Sequence, residues 1–91
     1  MAIRQAASYD QFIEFMASLP SLDEIVAYSM SPEAQARIRE LLDANHNRRL
    51  TDSENIELDE YERLGRLIRR AKIRAFEKME ELKQNTTQTT Q

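Results

Sequence analysis

The fold is decided by residues 51–82, which read TDSENIELDEYERLGRLIRRAKIRAFEKMEEL. Apolar residues recur there at steps of three and four, which places them along one side of a helix. The members of this apolar stripe are Tyr61, Leu64, Ile68, Ala71, Ala75, Met79 and Leu82. Thr51 and Glu54 match a capping box at its start. The pattern predicts a single helix from Thr51 to about Leu82, with a length of roughly 45 Å.

Three shorter helices are predicted before this one, each with a serine suited to its N-terminus. Ser8 and Ser21 each have Gln or Glu three residues later, as in a capping box. Ser31 is followed by a proline, which is tolerated at the first helical position. Pro20 ends the first helix, and the third helix ends near Asp43. Because a short loop joins the third and fourth helices, we predict that they form an antiparallel hairpin.

The composition predicts one small all-α domain, with three short helices and one long C-terminal helix. The chain has 91 residues, one Gly, two Pro and no Cys, which excludes disulfides and thiolate metal sites. We assign residues 1–84 to the domain and the polar segment 85–91 to a disordered tail. No signal peptide and no apolar run of about 20 residues is present. We therefore expect a cytoplasmic protein without membrane association.

The lengths of the last two helices do not match. The third helix can cover only the first half of the fourth, where we predict that Leu64 and Ile68 pack against it. Their expected partners in the third helix are Ile38, Leu41 and Leu42. The second half of the fourth helix, from about Ala71 to Leu82, needs cover from the first helix, from a second copy of the chain, or from another protein.

No combination of residues in the sequence suits an enzyme. His46 is the single histidine and stands in a predicted polar loop, and Gly65 is the single glycine, so no phosphate-binding or oxyanion loop can form. The carboxylates lie on charged helix faces, where they remain solvated. The sequence therefore predicts a non-enzymatic protein without a cofactor.

The segment from Asp43 to Glu54 is similar to the twelve-residue calcium loop of EF-hand proteins. Its candidate ligands are the side chains of Asp43, Asn45, Asn47 and Glu54 and the backbone carbonyl of Arg49. Arg48 stands where that loop has a glycine, and a positive φ there would cost roughly 1 kcal/mol or more. The positive charges of Arg48 and Arg49 would also repel a calcium ion. We therefore favour an ordinary connector that binds no metal, and keep calcium binding as an alternative.

Six cations occur within residues 63–74, with no acid among them. Four of them, Arg63, Arg66, Arg70 and Arg74, step by three, four and four and form an arginine stripe. Like charges at these spacings repel one another by a few tenths of a kcal/mol. A solvated surface, a phosphate backbone and an acidic protein surface are all compatible with the stripe.

Several short motifs between Asp23 and Glu77 occur together in one known family. They are Ser31-Pro32-Glu33, Gln35-Ala36-Arg37, Leu41-Leu42, Asn45, Leu50-Thr51, Glu54, Glu57-Leu58-Asp59-Glu60-Tyr61 and Lys72-Ile73-Arg74-Ala75. In these motifs the chain resembles a family of small, mostly uncharacterised bacterial proteins that is frequent in cyanobacteria. The family usually has a glycine where this chain has Arg48. Some members look like antitoxin partners of nuclease toxins, so the resemblance implies a protein partner of that kind.

These observations predict an antitoxin-like interaction protein that binds and restrains a partner protein through its long C-terminal helix. The residues predicted to bind the partner are Arg63, Arg66, Arg70, Arg74, Ile73, Phe76, Met79 and Leu82. A calcium-responsive EF-hand-like module and a nucleic-acid-binding helical protein are the alternatives, and a homodimer is left open.

Overall fold

A computed structural model describes the backbone of residues 3–89 and the side chains of residues 7–84. Within this range the chain is all-α and has no strand, as predicted. Its helices are α1 (Ile3–Ala17), α2 (Leu22–Ala27), α3 (Pro32–Asn47) and α4 (Asp52–Thr89).

The predicted starts of α2, α3 and α4 are confirmed by their side-chain hydrogen bonds. The Ser21 hydroxyl accepts from the backbone N–H of Glu24 at 3.1 Å, and the Glu24 carboxylate accepts from the Ser21 N–H at 2.8 Å. Ser31 accepts from the backbone N–H three residues later. Thr51 and Glu54 form the reciprocal pair at 3.1 and 2.9 Å. Each bond satisfies a backbone donor that the first helical turn leaves free.

The predicted start of α1 is wrong. The helix begins at Ile3, and Ser8 lies within it as a buried residue rather than a cap. The segment before Ser8 reads IRQAA and contains good helix formers with neither Gly nor Pro, so nothing in it stops the helix.

Two helices also end later than predicted. The α3 helix continues past Asp43 to Asn47, which places His46 in its last turn as an exposed residue. The α4 helix continues past Leu82 to Thr89 and so enters the segment predicted as a disordered tail. Neither Gly nor Pro interrupts the backbone hydrogen bonds at either place. The side chains of residues 85–91 and the backbone of residues 90–91 lie outside the described part.

The core consists of two clusters along α4. The first joins α3, the connecting loop and the first turns of α4; its buried members are Ala34, Leu41, Leu50, Leu58 and Tyr61. The second joins α1 to the middle of α4; its buried members are Phe12, Leu64 and Ile68. The prediction that Leu64 and Ile68 pack against α3 is therefore wrong. The apolar residues of α3 pack with Leu58 and Tyr61, and the Phe12 ring packs in the cluster with Leu64 and Ile68.

The C-terminal end of the short helix α2 contacts both α1 and the middle of α4. The Tyr28 ring packs on Phe12 and Phe15 with centroid distances of 5.3 and 4.5 Å. The Lys72 ammonium donates to the Tyr28 carbonyl at 3.0 Å. A cation at this position interacts favourably with the negative end of the α2 dipole.

An ion pair fastens α3 to the first turns of α4. The Arg37 guanidinium donates to both oxygens of the Glu57 carboxylate at 2.7 and 2.8 Å. A bidentate pair of this kind fixes the orientation of both side chains.

The apolar stripe of α4 is covered by the other helices as far as Ala75, which is 3% exposed. Beyond Ala75 no described residue of the stripe is fully buried.

The end of α1 provides one prediction about stability. Leu19 has a φ of 57°, and its side chain is 89% exposed. This left-handed conformation suits glycine at a helix C-terminus and is unfavourable for leucine. Leu19→Gly is therefore expected to raise the free energy of unfolding by about 0.5–1 kcal/mol in urea titrations. Leu19→Ala keeps the Cβ atom and serves as the control; an equal gain there would show that the backbone conformation is not the cause.

Candidate partner-binding groove

An open groove lies between the α2–α3 connection and the middle of α4. It has a volume of about 670 Å³, and Tyr28, Ser29 and Met30 line its first wall. The α4 side is lined by Gly65, Ile68, Arg69, Lys72, Ile73, Phe76 and Glu77. These residues recur at alternating steps of three and one and form a face of α4 that shares Ile68 with the apolar stripe. The volume is in the range of known ligand pockets.

Gly65 lies where the Met30 side chain approaches α4. A Cβ atom at this position would lie 3.8 Å from the Met30 side chain, at ordinary contact distance. An alanine side chain would therefore fit beside Met30 without displacing it. A mid-helix glycine lowers helix stability by roughly 1 kcal/mol relative to alanine.

Two residues predicted to bind a partner, Ile73 and Phe76, lie in this groove. Their exposed fractions are 52% and 53%. Single exposed apolar residues are common on proteins, but these two share a concave surface with Ile68, Met30 and Tyr28. A continuous apolar surface of this kind is typical of an interaction site.

The other predicted apolar residues lie outside the groove. Met79 is half-buried on the apolar stripe, and Leu82 is exposed nearer the C-terminus. Neither residue lines the groove. The structure therefore brings together only Ile73 and Phe76 from the predicted apolar set.

The arginine stripe runs along the outer side of the groove. Arg63 is paired with Asp59 at 3.1 Å and Glu60 at 3.4 Å. Arg66, Arg70 and Arg74 are exposed, and none of them forms an ion pair within the described part of the chain. Their positive charge is available to a partner.

Several residues that form the groove were not predicted from the sequence. Arg69 and Lys72 belong to the cationic segment but not to the predicted stripe, and Met30 lies in a connection that was given no role. The single glycine within a long helix was the available indication, because such a glycine often marks a close approach of another segment.

The residues of the predicted calcium loop do not converge. Asp43, Asn45 and Asn47 lie within α3, where residues two positions apart point to nearly opposite sides. Glu54 accepts two hydrogen bonds from the Arg48 guanidinium, both at 2.8 Å. Arg48 has a φ of −162°, which is ordinary extended backbone, so the predicted cost of a positive φ does not arise.

Arg48 contacts two of the predicted calcium ligands. Its guanidinium contacts the Glu54 carboxylate and also donates to the Arg49 carbonyl at 3.2 Å, and both are predicted calcium ligands. Among the described side chains no group of three or more acidic or histidine residues lies close enough to hold a metal ion.

This geometry leads to a prediction about calcium. Titration with micromolar calcium is expected to give no saturable heat in calorimetry, because binding would have to displace Arg48 and unwind the end of α3. A dissociation constant of about 10⁻⁷ to 10⁻⁵ M, the range of calcium sensors, would contradict it.

The same ion pair predicts a pH dependence of stability. The Arg48 guanidinium, followed by the Thr51 backbone N–H, lowers the pKa of Glu54 from 4.5 to about 2. The unfolded chain therefore binds a proton at higher pH than the folded chain. The contribution is complete above pH 4.5 and is lost as the pH falls toward 2.

Urea unfolding at several pH values between 5 and 2 tests this dependence. Glu54→Gln is expected to flatten the pH profile, and Arg48→Gln is expected to flatten it less, because the Thr51 N–H still donates to the Glu54 carboxylate. If both variants keep the slope of the parent protein, the ion pair is not its source.

Comparison with known proteins provides no further assignment, because no protein-family model, curated protein or solved structure matches this chain. Among the described residues, no helix combines the length and the apolar character needed to cross a membrane.

Proposed function

We propose that this chain is a non-enzymatic interaction protein that binds and restrains a partner protein through its long C-terminal helix, α4. The observation that carries the proposal is the groove, in which Ile73 and Phe76 stand half-exposed near Arg66 and Arg70, which form no ion pair with a described residue. Apolar anchors surrounded by charged residues are a common arrangement at protein interfaces.

The sequence resemblance adds an antitoxin-like role to this proposal, with a nuclease toxin as the partner. The proposal also includes the antiparallel hairpin of α3 and α4. The ion pair between Arg37 and Glu57 supports that arrangement, since it fastens the middle of α3 to the second turn of α4. A hairpin of these lengths leaves the groove face of α4 free for a partner.

Site-specific photo-crosslinking tests the proposal. A photoreactive phenylalanine analogue is placed at Phe76 or, as a matched control, at Ile56, which is 63% exposed on the same helix outside the groove. Irradiation of living cells is expected to give one defined adduct from position 76 and none from position 56. Identical adducts from both positions, or none from either, would contradict the proposal.

Co-expression tests the antitoxin-like part. The product of the adjacent gene is expressed alone and together with this chain. We expect the neighbour alone to slow growth and this chain to restore it. Growth that is unaffected by the neighbour would remove the antitoxin role but leave partner binding intact.

Nucleic acid is a second candidate, favoured by the unpaired Arg66, Arg70 and Arg74. A phosphate backbone would release counterions on binding them, so affinity would fall steeply with salt. This candidate does not use the apolar groove. Duplex DNA binding that survives Phe76→Ser but is lost in Arg70→Glu would support it over a protein partner.

A further inference from the structure

The charges around the groove define the kind of partner that fits it. Arg69 and Lys72 line the groove, and Arg66 and Arg70 lie beside it on the next face of α4. Among the described residues that line the groove, Glu77 is the only acid, against two cations. Together with the exposed Arg66 and Arg70 beside the groove, these charges favour an acidic ligand.

The shape of the groove limits the kind of acidic ligand that it can bind. From Gly65 to Glu77 the α4 wall spans about 18 Å, or roughly three helical turns. The groove is open along its length and has an apolar floor, so it suits a row of side chains rather than an enclosed small molecule. An amphipathic helix presents such a row from positions i, i+3 or i+4, and i+7.

The acidic start of α4 does not supply a helix of that kind. In this segment, residues 52–62, Leu58 and Tyr61 are buried in the core, and Ile56 is the one exposed apolar residue. A second copy that presented its own groove would place Arg66, Arg69 and Arg70 against the same residues, and like charges at an interface are unfavourable.

We infer that the groove binds an acidic amphipathic helix of the partner protein. Apolar residues on one side of that helix contact Ile73 and Phe76, and its carboxylates pair with Arg66, Arg69 and Arg70. This inference rests on the proposed function, since it names the partner surface that the groove would recognise.

The experiment uses two synthetic peptides of about 16 residues, long enough to form a helix. Both carry leucines at i, i+4 and i+7; one has glutamates and the other lysines at the remaining charged positions. Fluorescence anisotropy with the full chain is expected to show at least tenfold tighter binding of the glutamate peptide, and this preference should shrink as salt is raised.

Variants locate the binding to the groove. Arg66→Gln with Arg69→Gln is expected to weaken the glutamate peptide about tenfold, as is typical when charged partners of an interface are removed. Arg63→Gln is the matched control, because Arg63 is already paired with Asp59 and Glu60, and it is expected to change affinity less than twofold. Helical content measured by circular dichroism should be unchanged in all three substitutions.

Three results would overturn the inference. They are equal binding of the two peptides, equal effects of the Arg63 and Arg66/Arg69 substitutions, and binding of duplex DNA in preference to the glutamate peptide. If crosslinking from Phe76 still captures a defined partner while the peptides show no preference, the inference fails and the proposed function stands. If the glutamate peptide binds but no partner is captured in cells, the proposed function fails instead.

Discussion

Leu64→Ala is expected to lower the free energy of unfolding by about 2–5 kcal/mol, the usual cost of emptying a buried leucine site. The Leu64 side chain is 1% exposed and packs with Phe12 and Ile68 in the cluster that joins α1 to α4. A chain of this size has a stability of only about 5–15 kcal/mol, so a large fraction would be lost. Urea unfolding followed by circular dichroism measures the change.

Leu67→Ala provides the matched control, because Leu67 lies on the same helix, three residues further along, and is 47% exposed. It is expected to change the free energy of unfolding by less than about 0.5 kcal/mol, as surface substitutions usually do. If the two leucines cost the same, the contact between α1 and α4 is not part of the folded core.

A double-mutant cycle tests the position of this contact. Phe12→Ala combined with Leu64→Ala is expected to show a coupling energy of about 0.5–3 kcal/mol, as contacting residues do. Leu41→Ala combined with Leu64→Ala is expected to be nearly additive, because Leu41 belongs to the other cluster. The reverse pattern would restore the predicted contact between Leu64 and α3.

The sequence was sufficient to predict the elements that depend on local interactions. The starts at Ser21, Ser31 and Thr51 follow from short-range hydrogen bonds between a side chain and backbone N–H groups three positions away, and such bonds are visible in the order of residues. Ser8 has the same pattern but does not cap α1. A capping box predicts a helix start only where the preceding residues do not favour a helix.

The partners of the apolar stripe could not be predicted in the same way. The periodicity shows that Leu64 and Ile68 face inward, but it does not show which helix covers them. The short α2 helix and the Lys72 contact with the Tyr28 carbonyl fix the region near α1, and that bond joins residues 44 positions apart. Contacts at such separations depend on how the helices pack, which a pattern within one helix does not describe.

For the same reason, only one wall of the candidate groove could be predicted. Ile73 and Phe76 could be selected because they are large apolar residues outside the main stripe of α4. The opposite wall at Tyr28 and Met30 comes from a different part of the chain, and only its packing on α4 forms the concavity. The unpaired state of Arg66 and Arg70 depends on the position of every neighbouring acid, which the sequence does not give.

Ile73→Ser together with Phe76→Ser is expected to reduce affinity for the crosslinked partner by two to three orders of magnitude. Truncating an apolar anchor at the centre of an interface typically costs about 2 kcal/mol or more, and this variant removes two. Both side chains are about half-exposed in the free protein, so the fold loses little packing. Affinity is measured by titrating the labelled partner, and the urea midpoint is measured in parallel.

Ile56→Ser and Leu82→Ser are the matched controls, since these residues are 63% and 58% exposed on the same helix and lie outside the groove. Each is expected to retain affinity within about threefold, or less than 1 kcal/mol, as residues outside an interface centre do. If Leu82→Ser weakens binding as much as the groove variant while the urea midpoints agree, the contact extends along the end of α4 and is not confined to the groove. If the groove variant binds as the parent protein does, Ile73 and Phe76 are solvent-exposed residues without a partner, and the interaction has to be sought on another face of α4.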